Sequence, residues 1–337
     1  MEKIIHDHLK EYNSSVKKTT INKYVRNIMN LKKYLDYKDD NLEFLKNTKS
    51  VLETLNNNDR DYSIQTKNSY IVAVLQTIKA FKFENSLIDF YSSKVKEYNA
   101  IIKSNYLNQI KSKKQQINWV DWMTLIKFYL RYRKKVRRLK LTKRKTLSKI
   151  DFARVMNMVI LSCYFSNYEE NPPRRNIYAS LYIHKLKKKE DYEFVDKTKN
   201  YLLIKNSRTK YFLFNNYKTV KNYGSIRIKL NKELNNDVNL WLRFNKTPYF
   251  MPSKKLDRPM TTAEFTKRLK DIMFKGVGKN ISSQMIRNIL MSYIHKDTPK
   301  IKFLTNLSVK MGHSLSMGLI NYSKKTVNSS SSDEEIK

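Results

Sequence analysis

The sequence is poor in cysteine and glycine, and each shortage excludes a class of site. Cys163 is the single cysteine among 337 residues. A disulfide framework and a zinc site built on cysteines are therefore excluded, and we expect an intracellular, reducing compartment. With only 5 glycines, the chain contains neither GxGxxG nor GxxxxGK[ST], so the glycine-rich phosphate loops are excluded as well.

Long apolar runs are also missing. Nowhere do about 18 apolar residues follow one another, so the sequence predicts no membrane-spanning helix, and we expect no membrane partner. The first residues, MEKIIHDHLKEY, lack an apolar stretch behind a basic one, and a secretory signal is therefore not expected.

Acidic residues are scarce relative to basic ones. Lys and Arg total 68 against 30 Asp and Glu, which gives a formal charge of +38. Hydrophobic residues make up 40% of the chain, too many for a disordered polycation. A lysine-rich composition inherited from an AT-rich genome explains the Lys and Asn content but not the lack of acids or the arginine clusters. The balance favours a polyanionic partner, with nucleic acid ahead of an anionic membrane surface.

Apolar spacing divides the chain into two domains. Residues 1–110 follow helical periodicity with basic outer faces, and 111–117 form a polar segment that we interpret as a linker. Residues 118–325 combine helices with three short strands, near 201–205, 210–214 and 225–230, and 326–337 form a low-complexity acidic tail that we expect to be disordered. The predicted class is mainly α, with a small antiparallel β-sheet in the second domain.

The densest basic block, RYRKKVRRLKLTKRK, lies between two predicted helices of the second domain. Three interpretations are open: a phosphate-contacting face, a nuclear localisation signal, or a solvated helix end. Under the first, the DNA-contacting residues are Arg131, Arg133, Lys134, Lys135, Arg137, Arg138, Lys143, Arg144 and Lys145, with Arg174 further along the chain.

Two arginines follow a helix-breaking proline pair in NPPRRNIY. Arg174 and Arg175 open the next predicted helix, where a cation opposes the helix dipole, so local propensity did not select them. A guanidinium fork there suits phosphate oxygens, although ordinary surface arginines are the simpler interpretation of this motif alone.

Three further places carry candidate chemistry. Lys218 lies in the turn between two predicted strands, within reach of a groove, but lysines are common in the turns of this chain. Arg287 lies among the apolar positions of a predicted helix and needs an anionic partner, either a ligand or a structural salt bridge. His313 follows Gly312, and Tyr322 comes nine positions later; each alone is more often structural.

Taken together, Arg, Lys, Arg, His and Tyr in this order resemble the tyrosine recombinase family, the phage-type integrases. The family box GHSS, followed by a Tyr nine positions after the His, corresponds here to Gly312-His313-Ser314 and Tyr322. Its HxLR box corresponds to Gln284-Met285-Ile286-Arg287, with Gln in place of the first His. The PPRRN box and the start NWVDW are most similar to the branch of large DNA viruses, virophages and related mobile elements.

The resemblance implies a two-domain clamp, in which a helical core-binding domain and an α+β catalytic domain close around double-stranded DNA. It implies that Tyr322 attacks the scissile phosphate and forms a 3′-phosphotyrosyl link, without metal or other cofactor. Arg175 and Arg287 would hold the phosphate, with Arg174 as the rival of Arg175. His313 would assist the phosphate and the tyrosine, Lys218 would protonate the leaving oxygen, and Gln284 would be a neutral phosphate ligand.

The resemblance further implies assembly on DNA as a tetramer, in a host nucleus or a cytoplasmic viral factory if the protein is viral. Three other classes stay open. A type IB topoisomerase shares the same chemistry; Gln284 and the short tail after Tyr322 allow a catalytically inactive DNA-binding protein; and the charge alone allows a basic RNA-binding or packaging protein.

Overall fold

A computed structural model describes residues 1–57, 61–187, 196–297 and 301–324. The chain divides into two units, Met1–Asn108 and Gln109–Lys337, and each buries its own hydrophobic cluster. The predicted acidic tail, 326–337, lies outside the described residues. In the part of the chain that the structure describes, no helix has both the length and the apolar character needed to cross a membrane.

The first unit consists of helices joined by loops, with no strand among its described residues. Its helices are α1 (Glu2–Tyr12), α2 (Lys18–Tyr34), α3 (Thr48–Asn56), α4 (Ile64–Ala80) and α5 (Asn85–Leu107). Ser63 fixes the start of α4, because its hydroxyl accepts a hydrogen bond from the Thr66 amide. Apolar side chains at helical spacing, among them Ile28, Ile71 and Val74, are fully buried in the core of this unit.

The second unit surrounds one largely buried helix. Its helices are α6 (Lys113–Asn118), α7 (Trp122–Arg138), α8 (Lys149–Phe165), α9 (Val220–Tyr223), α10 (Lys232–Phe244), α11 (Thr262–Val277), α12 (Ser283–Ile294), α13 (Ile301–Met311) and α14 (Leu315–Met317), followed by a π-helix over Gly318–Tyr322. The helix α8 is apolar on nearly all sides, and it packs against both α7 and α10. Such a helix forms the centre of a core, because it leaves no polar face for water.

The polar segment 111–117, which we interpreted as a linker, contains most of α6. Ser112 and Gln115 form a capping box, each side chain accepting a hydrogen bond from the backbone amide of the other. This local capping explains why a segment without an apolar pattern is helical.

The sheet has four strands, β1 (Leu181–Lys185), β2 (Asn200–Ile204), β3 (Lys210–Phe214) and β4 (Ile226–Lys229), in that order. The pairs β2–β3 and β3–β4 are antiparallel, as predicted, but β1 pairs with β2 in parallel. The prediction of a purely antiparallel sheet is therefore wrong. The strand β1 was missed because its partner starts 15 residues after β1 ends, and a parallel pair has no hairpin signal between its strands.

Candidate active site

The side chain of Tyr322 lies at the centre of the site. It ends the π-helix, whose wider turn is closed by the Ser323 amide donating to the Gly318 carbonyl at 3.1 Å. The ring is almost fully enclosed, with 1% of the residue exposed. A single turn of π-helix is rare and is found mostly at functional positions, because it shifts one side chain relative to a regular helix.

Arg287 projects from α12 against the face of that ring. Its guanidinium carbon lies 4.5 Å from the Tyr322 ring centroid, and Nη2 donates to the Met311 carbonyl at 3.2 Å. Its Nε is buried without a hydrogen-bond partner, and the described residues give it no carboxylate. Burial lowers the pKa of Arg287 to about 10, so the side chain stays charged at neutral pH. A structural salt bridge, the alternative interpretation of Arg287, is therefore absent from the described residues.

The adjacent arginines of the PPRR box have different surroundings. The partly exposed Arg175 donates from Nη2 to the Tyr322 hydroxyl at 3.3 Å. Arg174 is buried, stacks on Phe214 at 4.4 Å, and donates from Nη1 to the Lys310 carbonyl at 2.8 Å. The helix expected after them is a five-residue 3₁₀ helix over Asn176–Ser180. Arg175 thus contacts the tyrosine. Arg174 was predicted to contact DNA, but its side chain is buried against Phe214 and the Lys310 carbonyl.

His313 covers Tyr322 from another side. The two rings stack with centroids 4.7 Å apart and planes 30° from parallel. The Nδ1 atom lies 2.9 Å from the Ser314 carbonyl, which only accepts, so Nδ1 carries the proton and Nε2 holds a free lone pair. The Nε2 atom is buried, and no described residue forms a hydrogen bond with it. Burial and then the charge of Arg287 lower the pKa of His313 to about 4, which makes the ring neutral at pH 7.

Gly312 begins the loop that carries His313 (residues 312–314, the histidine loop), and a hydrogen bond connects it to the turn between β3 and β4. Its carbonyl accepts a hydrogen bond from the Thr219 hydroxyl at 2.8 Å, and its φ of +74° is one that favours glycine. A Cβ at this position would lie 2.9 Å from Nη2 of Arg174. Lys218 precedes Thr219 on the same turn; its side chain is exposed, and the described residues give it no ion pair. The turn is thus tied to the site while the Lys218 ammonium faces solvent.

Gln284 is not part of this cluster. It is exposed on the first turn of α12, where Nε2 donates to Asn288 Oδ1 at 3.2 Å. No contact in the described structure connects it to Tyr322, Arg287 or His313. Its predicted role as a phosphate ligand stays a prediction.

Two positioning groups were missed from the sequence. The Ser292 hydroxyl, on α12, accepts from the Lys324 amide at 2.6 Å and lies 3.5 Å from the Tyr322 carbonyl oxygen. Thr219 holds the histidine loop as described above. The sequence signal for Ser292 is only its place on the helix of Arg287, and the signal for Thr219 is its place beside Lys218.

The basic block of α7 and the following loop divides into paired and unpaired residues. Arg133 is buried, with Nε 2.9 Å from Asp237 Oδ2 and Nη1 3.0 Å from Glu233 Oε1. Arg137 also pairs with Asp237, and Arg144 pairs with Asp151. The exposed residues for which the described structure shows no ion pair are Arg131, Lys134, Lys135, Arg138, Lys140, Lys143 and Lys145.

Arg133 is therefore not exposed for the predicted contact with DNA, because its guanidinium is buried and paired with Asp237 and Glu233. The spacing contained the signal. Arg133 follows Tyr129 by four residues and precedes Val136 by three, which places it on the buried face of α7. Among the described residues, no group of three or more His, Cys, Asp or Glu side chains is placed to hold a metal ion.

Comparisons with known proteins add little to this geometry. No family model matches the chain, and no curated protein matches it. Among solved structures, the chain is similar to one described as the crystal structure of XerA recombinase, with a TM-score of 0.38 and 12% identity. The match covers 97% of this chain and 95% of that one. A likeness at this level does not show what this chain does.

Proposed function

We propose that this protein cuts and rejoins DNA strands as a tyrosine recombinase does, with Tyr322 as the nucleophile. The observation that carries the proposal is a buried tyrosine with two arginines and a histidine against it. Arg175 donates to its hydroxyl, while Arg287 and His313 face its ring at 4.5 and 4.7 Å. Two guanidiniums to which the described residues give no carboxylate form a site for an anion, and a phosphodiester supplies one.

The arginines suit the charge that develops during attack on phosphorus. When a phenol oxygen adds to a phosphodiester, negative charge builds on the non-bridging oxygens of the transition state. Arg287 is held by the Met311 carbonyl and by the ring it covers, so it needs little reorganisation to meet that charge. Arg175 is bound to the attacking oxygen and can shift its donors to the phosphate as the phenol loses its proton.

We assign to His313, whose ring stacks on Tyr322, the role of accepting that proton. Its Nδ1 proton is directed to Ser314, which leaves the Nε2 lone pair available, and the ring is neutral at pH 7. A neutral imidazole with a free lone pair is a general base. In the step, a bond forms between phosphorus and the Tyr322 oxygen, and the bond from phosphorus to the 5′-oxygen of the leaving strand breaks. The phenol proton goes to His313, and we assign the proton gained by the 5′-oxygen to Lys218.

The energy of the broken phosphodiester is kept in the phosphotyrosyl ester, so rejoining needs no nucleotide cofactor. Long-range attraction to DNA comes from the net charge of +38 and from exposed cations such as Arg131, Lys134 and Arg138. Assembly as a tetramer, membership of the viral branch, and action in a nucleus or cytoplasmic factory are further parts of the proposal. They rest on the sequence resemblance.

The test is covalent trapping. The full-length protein is incubated with a pool of random-sequence duplexes that carry a nick, so that a cleaved strand loses its short leaving piece and cannot be rejoined. We expect a protein–DNA adduct that survives SDS, with the DNA attached to the peptide containing Tyr322. Tyr322→Phe should remove the adduct and keep salt-sensitive DNA binding, whereas Tyr223→Phe, on the turn that carries Lys218, should retain it.

An adduct on another tyrosine would refute the assignment of the nucleophile. Binding without any adduct would refute the enzyme and leave a DNA-binding protein. Where an adduct forms, strand exchange between two duplexes separates a recombinase from a topoisomerase, which instead relaxes a supercoiled circle on its own.

A further inference from the structure

A polar cleft of about 450 Å³ lies beside Arg175, and the chemistry above makes no use of it. Its walls come from the 3₁₀ helix and Arg175 before it, from the starts of β1 and β2, from the residues just after β3, and from the start of α11. The lining residues that matter here are Arg175, Tyr182, Lys199, Asn200 and Asn216. The volume falls within the range of pockets that hold small organic ligands, and a single nucleotide is a ligand of that size.

The rim of the cleft is held in place by side-chain amides. Asn200 is buried, and its Oδ1 accepts from the amides of Asn215 and Asn216 at 2.9 and 2.8 Å. Its Nδ2 donates to the Asn216 carbonyl at 2.8 Å, and Asn216 in turn donates from Nδ2 to the Thr198 carbonyl at 2.9 Å. These bonds join the start of β2 to the end of β3. The cleft is therefore preorganised in the free protein.

The position of the cleft identifies its occupant. Substitution at phosphorus is in line, so the attacking and leaving oxygens lie on opposite sides of the phosphate. Arg175 contacts the attacking oxygen of Tyr322 and also lines the cleft. Asn216, which also lines the cleft, comes two residues before Lys218, to which we assigned the proton of the leaving oxygen. The cleft is thus lined both by a proposed phosphate ligand and by a residue of the turn that carries the proposed acid.

We infer that this cleft binds the first nucleotide of the leaving strand, the one that carries the 5′-oxygen, and that Lys199 contacts the next phosphate of that strand. This inference rests on the proposed function. The Lys199 ammonium is half-exposed at the cleft, 3.0 Å from Asp196 Oδ2 and 5.4 Å from the Tyr182 ring centroid. Asp196 competes for that charge in the free protein, so the gain from the phosphate is that of an exposed ion pair.

The proposed contact between Lys199 and the leaving strand can be tested in the rejoining step, because the leaving strand is then added as a separate molecule. In that step the 5′-hydroxyl oxygen bonds to phosphorus and the bond to the Tyr322 oxygen breaks; by the roles assigned above, the hydroxyl proton passes to Lys218 and the Tyr322 oxygen regains a proton from His313. Preformed adduct is mixed with short acceptor strands annealed to the overhang. One acceptor has an ordinary phosphate between its first and second nucleotides, and the other has a neutral methylphosphonate there.

For the wild-type protein, we expect the neutral linkage to slow rejoining about 3- to 5-fold, the effect of one exposed ion pair. In Lys199→Gln the two acceptors should rejoin at equal rates. Lys205→Gln is the matched control, because Lys205 is an exposed lysine just past the other end of β2, and it should keep the wild-type difference. Both substitutions are at exposed positions, and circular dichroism checks that each variant folds.

The outcomes separate the inference from the proposed function. Equal rates for the two acceptors with wild-type protein would refute the subsite and leave the nucleophile intact. A wild-type difference that persists in Lys199→Gln would refute Lys199 as the contact. Failure of the wild-type protein to form any adduct would refute the proposed function, and the subsite with it.

Discussion

Gly312 is the position where a single methyl group should disturb the site most. It has a φ of +74°, its carbonyl is bound by Thr219, and the site of a Cβ lies 2.9 Å from Nη2 of Arg174. The change to test is Gly312→Ala. The chain offers a matched control in Gly278→Ala, because Gly278 has a φ of +69° and open space around the site of its Cβ.

The cost of Gly312→Ala has two parts. An alanine held at positive φ costs about 1–2 kcal/mol, and both variants carry this part. The second part is the contact with Arg174, whose guanidinium cannot move freely, because it is buried, stacked on Phe214 and bonded to the Lys310 carbonyl. Overpacking of this kind costs about 1–3 kcal/mol. We therefore expect Gly312→Ala to lose roughly 2–5 kcal/mol of unfolding free energy and Gly278→Ala about 1–2 kcal/mol.

Urea unfolding measures the stability difference, and covalent trapping measures the chemical consequence. His313 follows Gly312 directly, so a shift of the loop displaces the proposed base, and a displacement of about 1 Å can lower a rate by roughly 100-fold. Gly278→Ala should form adduct at the wild-type rate. The reasoning would be wrong if the two variants lost equal stability, or if Gly312→Ala formed adduct as fast as the wild type.

Four more outcomes follow from described contacts. The pKa of His313 is lowered to about 4, so the unfolded chain binds a proton that the native state excludes as the pH falls from 6.5 to 4. The free energy of unfolding, measured with urea, should therefore fall by up to about 3 kcal/mol over that window, and this loss should be absent in His313→Gln. Asp237→Asn should lose about 3–5 kcal/mol in the same assay, because it leaves the buried guanidinium of Arg133 with one acid partner fewer. Lys134→Gln should lower the salt dependence of DNA binding by about one counterion, and Arg133→Gln should lower stability without that effect. Gln284→Ala should form adduct within about 2-fold of the wild-type rate, because Gln284 is exposed and its side chain is hydrogen-bonded to Asn288 and not to the tyrosine cluster; a loss of about 100-fold would restore it as a phosphate ligand.

Elements with strong local signals were predictable from the sequence. The helix α8, Lys149–Phe165, is one of them, because Ser148 caps its start and apolar residues continue to its end. The strand β3 was expected at the residues it occupies, Lys210–Phe214. The strand β1 was not, because its pairing with β2 depends on a contact between segments far apart in sequence. Local propensity contains no information about such a pair.

The candidate site shows the same division. Order and spacing selected Arg287, His313 and Tyr322, and the structure brings all three together. Spacing did not separate Arg174 from Arg175, because either one fits the motif. Arg175 has extended backbone, φ −62° and ψ −174°, and consecutive side chains of an extended chain point to opposite sides. One guanidinium therefore reaches the tyrosine while its neighbour turns to Phe214 and Lys310.

Charge patterns in the sequence do not show where each charge is compensated. Arg133 stood in a basic run that suggested a surface for DNA, yet its partner Asp237 lies 104 residues away on another helix. Arg287 stood among apolar residues and suggested a structural ion pair, yet the described residues give it no acid. Burying a guanidinium without an acid is costly, and a protein that buries Arg287 against its tyrosine sacrifices stability in its free state. A phosphate entering beside Tyr322 offsets that cost, so the same arrangement that destabilises the free protein favours binding of the DNA backbone.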